Sequence, residues 1–312
     1  MKKPVYILDA FTSEALRGNS AAVVLDGADL DDATMQRIAG ELKHAETVFP
    51  LPARDPSAAW HLRWFTPTDE VLFCGHATLA ALRVMVDEAQ RLRVPVGQVV
   101  RTAFTCKSGM LRVELTRTPD KKLHVAFEAP PAEFKEAVVS AELLMALGLI
   151  PEVLEPSQGP RRSLSGASQS GGNLYICLRD RETLARAAID QKALAEAMKA
   201  DGAGGVILYA LQPKEGVDAA ARAFFPMDGV PEDAVTGSAL AQLGLLLQDT
   251  RPDAMPRAFR FTQGTELHRE GHVLVSVRPE PEPGQIRAWL SGDGVVVMRG
   301  ELDLRALVKA KK

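Results

Sequence analysis

The sequence predicts an α+β protein of two pseudo-symmetric lobes, each a β-barrel or rolled sheet around one central helix. Three observations lead there. The run 66–85, TPTDEVLFCGHATLAALRVM, changes at Cys74-Gly75-His76 from turn and strand residues to an apolar pattern of helical period. Ala77, Leu79, Ala80, Leu82, Val84, Met85 and Val86 leave so little polar surface that this helix has to be enclosed by its domain. The pattern then recurs: Glu232 to Leu240 lead into Ala241, Leu243, Leu245, Leu246 and Leu247, so that Gly75-His76-Ala77 is matched by Gly237-Ser238-Ala239. Phe104-Thr105 and Phe261-Thr262 stand at the strand after each helix, which makes an internal duplication the reading of the pattern. Lastly, the remaining segments are mostly short, evenly spaced strands that do not alternate regularly with helices, which disfavours a doubly wound sheet.

Size and composition agree. At 312 residues the chain is past the length at which a single core stops growing, and its 25% charged and 46% hydrophobic residues are those of a globular protein. A net charge of -3, with no basic cluster longer than Lys309, Lys311 and Lys312, gives no electrostatic case for a nucleic-acid partner. Three cysteines with no C-x-x-C pair point to a reducing compartment and argue against a disulfide framework or a zinc site. Of the six histidines, His268 and His272 have helical spacing, but Gly271 and Val273-Leu274-Val275 make that stretch a hairpin and not a metal helix. The opening MKKPVYILDAF is broken at Asp9, so it is no signal peptide, and no run approaches a membrane span. A cytoplasmic protein with no membrane partner is expected. No glycine-rich phosphate motif occurs, so nucleotide binding has no support.

In chain order, Val5–Leu8 and Ala21–Leu25 are paired strands with the turn Arg17-Gly18-Asn19 between them. A helix follows from about Asp32, capped by Asp31 or Asp32, with Met35, Ile38, Ala39 and Leu42 on its inner face. Glu46-Thr47-Val48-Phe49 begins a strand, and Trp60–Phe65 is the next, turned by Thr66-Pro67. After the first central helix, Val99–Thr105 and Met110–Leu115 form a hairpin across Lys107-Ser108-Gly109, and Leu123–Phe127 adds a strand. The chain leaves the first lobe at Pro130-Pro131, giving expected lobes of 1–130 and 131–298 and a tail, 299–312, returning to the first lobe. In the second lobe Ser140 caps a short helix to Leu147, and 159–172 is a loop whose Arg161-Arg162 is a lid or solvated surface. Strand Leu174–Leu178, helices Glu182–Ala188 and Lys192–Met198, and strands Gly205–Ala210 and Ala221–Phe225 follow, with the second central helix beginning near Val235.

The candidate chemistry lies at the helix heads. First-turn N–H groups have no intrahelical partner, and Gly75 and Gly237 let an anion approach that backbone. Glu46 and Asp233 each precede a central helix, and His76 and Ser238 each sit in one's first turn. A carbon acid deprotonated there needs a base near the carbon and donors for the resulting oxyanion, and no metal or organic cofactor. Each residue also has a plain reading. Glu46 can be an exposed strand-entrance residue, Asp233 only a helix N-cap, His76 a first-turn residue satisfied by backbone, Ser238 bonded to a carbonyl, and Cys74 a small buried hydrophobe.

Several segments together resemble one family: Asp9-Ala10-Phe11, Gly18-Asn19, Met35-Gln36 through Glu46-Thr47, Arg63-Trp64-Phe65-Thr66-Pro67, Cys74-Gly75-His76-Ala77-Thr78 and Glu232 through Ala239, with Gln263-Gly264 and Gly294 through Gly300 more weakly. The chain is similar to the phenazine biosynthesis PhzF-like proteins, within the diaminopimelate epimerase fold group. The resemblance implies two similar lobes with the active site between them, homodimers, and isomerase chemistry on a small carboxylate-bearing substrate. It implies Glu46 as the acid/base, with His76, Asp233 and Ser238 at the positions that line the site and hold the substrate; His76 and Asp233 are taken as further catalytic groups, and Gly75 and Gly237, through their helix termini, join Ser238 as substrate-binding groups. Related racemases use a cysteine at the head of each central helix. Here Ala234-Val235-Thr236-Gly237 offers no second thiol, so a two-cysteine racemase is disfavoured. Departures at Ser20, His44-Ala45, Ala234 and Leu267-His268-Arg269 limit what carries over to fold, site and proton transfer, without the substrate. A non-catalytic metabolite-binding protein and an epimerase using Glu46 and Asp233 are the alternatives.

Overall fold

The computed structural model describes residues 1–164, 172–211, 216–249, 257–282 and 284–306, so the expected loop 159–172 lies partly, and the lysines of the tail wholly, outside the described residues. The fold is α+β, and the chain divides into two compact units, one of 1–16, 20–125 and 293 onward, the other of 17–19 and 126–292. These divisions differ from the expected 130 and 298 for a reason visible in the pairing. Ala126, Phe127 and Glu128 already pair with Ser291, Leu290 and Trp289 of the second unit. Strand Gly294–Asp303 pairs along its length with Lys2–Ala10, so it is one element that no boundary at 298 can cut.

In the first unit, strands Asn19–Val24 and Glu46–Pro52 run parallel and are joined by α1 (Asp32–Leu42). Asp31 is the cap: its carboxylate accepts from the Thr34 N–H at 2.8 Å. Lys43, left-handed at φ 55, stops the helix and turns the chain into Glu46. Trp60–Phe65 returns antiparallel to Glu46–Pro52, and the two-residue strand Glu70–Val71 folds onto it. Next comes α2 (Gly75–Arg83), buried from Gly75 to Leu82, which runs on into a single π-helical turn, Val84–Glu88. Its packing partners are strands Lys2–Ala10, Glu46–Pro52 and Gly294–Asp303, which enclose it as its apolar circumference requires.

The second unit repeats this order. After the short helix α3 (Ala141–Ala146), strands Asn173–Leu178 and Gly205–Leu211 run parallel, joined by α4 (Arg181–Arg186) and α5 (Gln191–Asp201). Ala219–Phe225 returns antiparallel, Val230–Asp233 folds onto it, and α6 (Gly237–Asp249) follows, starting two residues later than the sequence pattern placed it. The register makes the duplication explicit. Trp60 pairs with Phe104 as Ala219 pairs with Phe261, each the first residue of its strand. On that alignment Arg63-Trp64-Phe65 falls on Arg222-Ala223-Phe224, and Glu70 to Ala77 falls without a gap on Glu232 to Ala239. The same contacts recur as well. Arg63 forks Glu70 at 2.8 and 2.7 Å and lies 5.0 Å over the Phe65 ring, while Arg222 forks Glu232 at 2.8 and 2.8 Å and lies 5.2 Å over Phe224. Each fork braces the turn that delivers a central helix.

Arg161 and Arg162 are not in a loop. They belong to strand Arg161–Ser163, pairing with Tyr175 and Leu174 on one side and Glu136 and Lys135 on the other, and the Arg162 guanidinium donates to the Asp201 carbonyl. Among the described residues, no helix is long and apolar enough to cross a membrane.

Candidate functional site

The structure brings Glu46 and His76 together with a third residue, Cys74. Glu46 opens its strand directly after the Lys43 turn, and its side chain is 19% exposed. Cys74 is the N-cap of α2, extended at φ -141 and making no side-chain cap bond, so its sulfur has no capping duty. Instead Sγ lies 3.5 Å from Nδ1 and 4.0 Å from Nε2 of His76, and that Nε2 lies 3.0 Å from Oε2 of Glu46. That carboxylate oxygen is buried and takes no aligned hydrogen bond. The Cys74 carbonyl is occupied by the Thr78 hydroxyl at 2.6 Å and the Thr78 N–H at 3.1 Å.

The electrostatics of this trio are set by burial and by Glu46. Burial, with the Glu46 charge adding to it, pushes the Cys74 thiol up to about 11. Burial would also lower His76, but the sulfur and the carboxylate outweigh it and hold the ring well above the ordinary histidine range. Both groups that hold the ring up lie beside it, Sγ of Cys74 at 3.5 Å and the Glu46 carboxylate at 3.0 Å. A charged ring at the head of a helix otherwise opposes the dipole, and the carboxylate offsets that too.

In the second unit Asp233 ends its strand four residues before Gly237 and so is not the cap of α6, contrary to the plain reading of it. Its two oxygens accept from the Asn19 amide at 2.8 Å and the Thr236 hydroxyl at 2.6 Å. Asn19 also donates to the Val235 carbonyl at 2.9 Å. Gln263 clamps the same turn, donating to the Asp233 carbonyl at 2.9 Å and the Thr236 hydroxyl at 3.1 Å, and accepting from the Thr236 N–H at 3.1 Å. Gly264 follows at φ +88, where a Cβ would stand 2.5 Å from the Ala234 carbonyl oxygen. Gly75 and Gly237 are buried in the first turns of α2 and α6, and Ser238 is half-buried beside Gly237.

Three positioning side chains were missed as such from the sequence: Asn19, Thr236 and Gln263. All three lie in segments that carry the family resemblance, the signal that could have found them, and Asn19 and Gln263 are 5% and 2% exposed. The duplication places Thr236 where the first unit has Cys74, Ser238 where it has His76, and Asp233 where it has Val71. Glu46 has no counterpart. Its place falls on Gly205, since Thr47 pairs with Phe65 as Val206 pairs with Phe224, and a Cβ at Gly205 would lie 2.3 Å from the Phe225 ring.

Comparisons with known proteins give a consistent result. The family described as phenazine biosynthesis-like protein (PhzC-PhzF) matches residues 8–300. The uncharacterized isomerase YddE of Escherichia coli (strain K12) is 31% identical over 307 residues, covering 96% of this chain and 98% of that protein. The crystal structure of the Bacillus anthracis phenazine biosynthesis protein of the PhzF family has the same fold, with a TM-score of 0.84 at 24% identity over 97% of this chain and 99% of that one. That of the Enterococcus faecalis PhzF-family protein gives 0.73 at 29% identity, over 97% and 100%.

Proposed function

The chain belongs to the phenazine biosynthesis-like (PhzF) protein family, and on that premise we propose a cofactor-independent isomerase that moves a proton between carbons of a small carboxylate-bearing metabolite. The enzyme class is that of its relatives, an isomerase of the PhzF and epimerase superfamily. The proposal adds residue roles. The observation that carries it is the 3.0 Å contact between Glu46 and the buried His76. Glu46 takes the proton from one carbon and returns it to another. With Oε2 buried against His76, the proton travels on Oε1. His76 and the first-turn N–H groups at Gly75 meet the oxygen on which charge develops, where preorganised donors have their largest effect. Gly237 and Ser238 hold the substrate, and Asp233, fixed by Asn19 and Thr236, accepts from a substrate donor.

The epimerase alternative needs Asp233 as a second base. Against it, both Asp233 oxygens already accept hydrogen bonds, and the place equivalent to Glu46 is a glycine that tolerates no side chain. The test is mass spectrometry in D2O with a panel of small cyclic and amino-acid carboxylates. Wild type incorporates deuterium, and Glu46→Gln loses roughly 10²–10⁴-fold in rate, the usual contribution of a positioned acid/base. Ligand-dependent melting shifts in both proteins, with no exchange in either, would leave a binding protein instead. The proposed homodimer is checked by light scattering, with twice the 33.7 kDa chain mass expected.

A further inference from the structure

We propose that Glu46, Cys74 and His76 form a binding site for one divalent cation of the zinc class, and that the cation silences the site by occupying the Glu46 carboxylate and the His76 ring. The second half of this statement rests on the acid/base reading of Glu46; the first does not. A thiolate sulfur, an imidazole nitrogen and a carboxylate oxygen are the donor types zinc selects, and three protein donors with an open fourth position is its arrangement in reactive sites.

The three donor atoms lie within 4.8 Å of one another, with Sγ 4.0 Å from Nε2 and Nε2 3.0 Å from Oε2. Donors of a tetrahedral zinc, at ~2.0–2.3 Å from the metal, are roughly 3.3–3.8 Å apart. The trio therefore needs the sulfur and the carboxylate to draw together by about 1 Å at most, within reach of side-chain torsions. A second observation points the same way: Glu46 Oε2 is buried without an aligned hydrogen bond, an acceptor that a cation would satisfy. Cys74 and His76 are buried, while Glu46 keeps partial exposure and offers the side of entry.

The duplication supplies an internal control. The equivalent places in the second unit are Gly205, Thr236 and Ser238, which offer no thiol, imidazole or carboxylate, so among the described residues one cation is expected. Binding displaces the thiol proton of Cys74, and the cation's two positive charges are balanced by thiolate and carboxylate.

The experiment is a Co2+ titration of metal-depleted full-length protein, read by absorption. One equivalent is expected to give the thiolate-to-cobalt charge-transfer band and the intense visible bands of four-coordinate cobalt. Both persist in Cys106→Ser, which removes the partly exposed thiol. Both vanish in Cys74→Ser, and Glu46→Gln and His76→Gln each weaken binding by about tenfold or more. Absence of the charge-transfer band in wild type, or its survival in Cys74→Ser, overturns the site. If Cys74→Ser does not fold, unchanged Co2+ affinity in Glu46→Gln and His76→Gln overturns it equally. Zn2+ should stop deuterium exchange and a chelator restore it. Cobalt bands with undiminished exchange would keep the site and overturn the silencing. Cobalt bands in a protein that exchanges nothing would count against the isomerase reading and leave the cation site standing.

Discussion

His76 shows how much one neighbour changes a residue. Burial alone would lower the ring, and the Cys74 sulfur and the Glu46 carboxylate beside it outweigh that. Because the folded pKa lies above the unfolded one, the pair's contribution to stability is complete below the ordinary histidine value and is lost as pH rises through the folded value. As pH rises above the ordinary histidine range, melting temperatures should therefore fall more steeply for wild type than for Glu46→Gln. Parallel curves would mean that His76 is neutral in the folded protein. The thiol next to it has the opposite character. With Cys74 buried and pushed up to about 11, iodoacetamide near neutral pH should label Cys106 and spare Cys74, as read by peptide mass mapping. Labelling of Cys74 as fast as Cys106 would contradict the burial that defines the site.

Between residues and domains stand the turns that carry the site, and two substitutions probe them. Arg222 is 6% exposed, forks Glu232 and donates to the Leu184 and Ala187 carbonyls at 3.1 and 2.9 Å. Arg222→Met strands a half-buried carboxylate and two carbonyls, so urea unfolding should show a loss of about 3–5 kcal/mol. Gly264→Ala forces a left-handed alanine against the Ala234 carbonyl and should lose about 1–3 kcal/mol by the same measurement, disturbing the turn that holds Asp233. Much at this scale was legible in the sequence. Trp60–Phe65 and the hairpin from Val99 carried enough alternation, and α2 and α6 enough apolar circumference, to announce themselves. Glu70–Val71 and Val230–Asp233 are too short for any period to register, though each comes directly before a central helix. The Arg63–Glu70 and Arg222–Glu232 forks became recognisable as one repeated device only through strand register. Cys74 was weighed as a buried hydrophobe because Glu46 comes near it only in the folded unit. Asn19 reaches Asp233 across 214 positions of sequence, which no local pattern encodes.

For the chain as a whole, the decisive pairing joins its first strand to its last. Lys2–Ala10 and Gly294–Asp303 are antiparallel partners over nearly their full lengths, with one irregularity at Ile7/Leu8. A chain ending at Gly292 would leave one edge of Lys2–Ala10 open and one wall of α2 missing. Limited proteolysis should then cut 1–125 while 126–292 stays protected. Equal resistance in both regions would show that the last strand is dispensable. The same closure has a consequence for biosynthesis. Lys2–Ala10 leaves the ribosome before its partner, which is translated on the order of tens of seconds later at ordinary elongation rates. Through that interval the nascent first unit carries an apolar strand and a buried-type helix without their cover, while nearly all of the second unit, 126–292, is already outside the exit tunnel or close to it. The half of the molecule begun first is finished last.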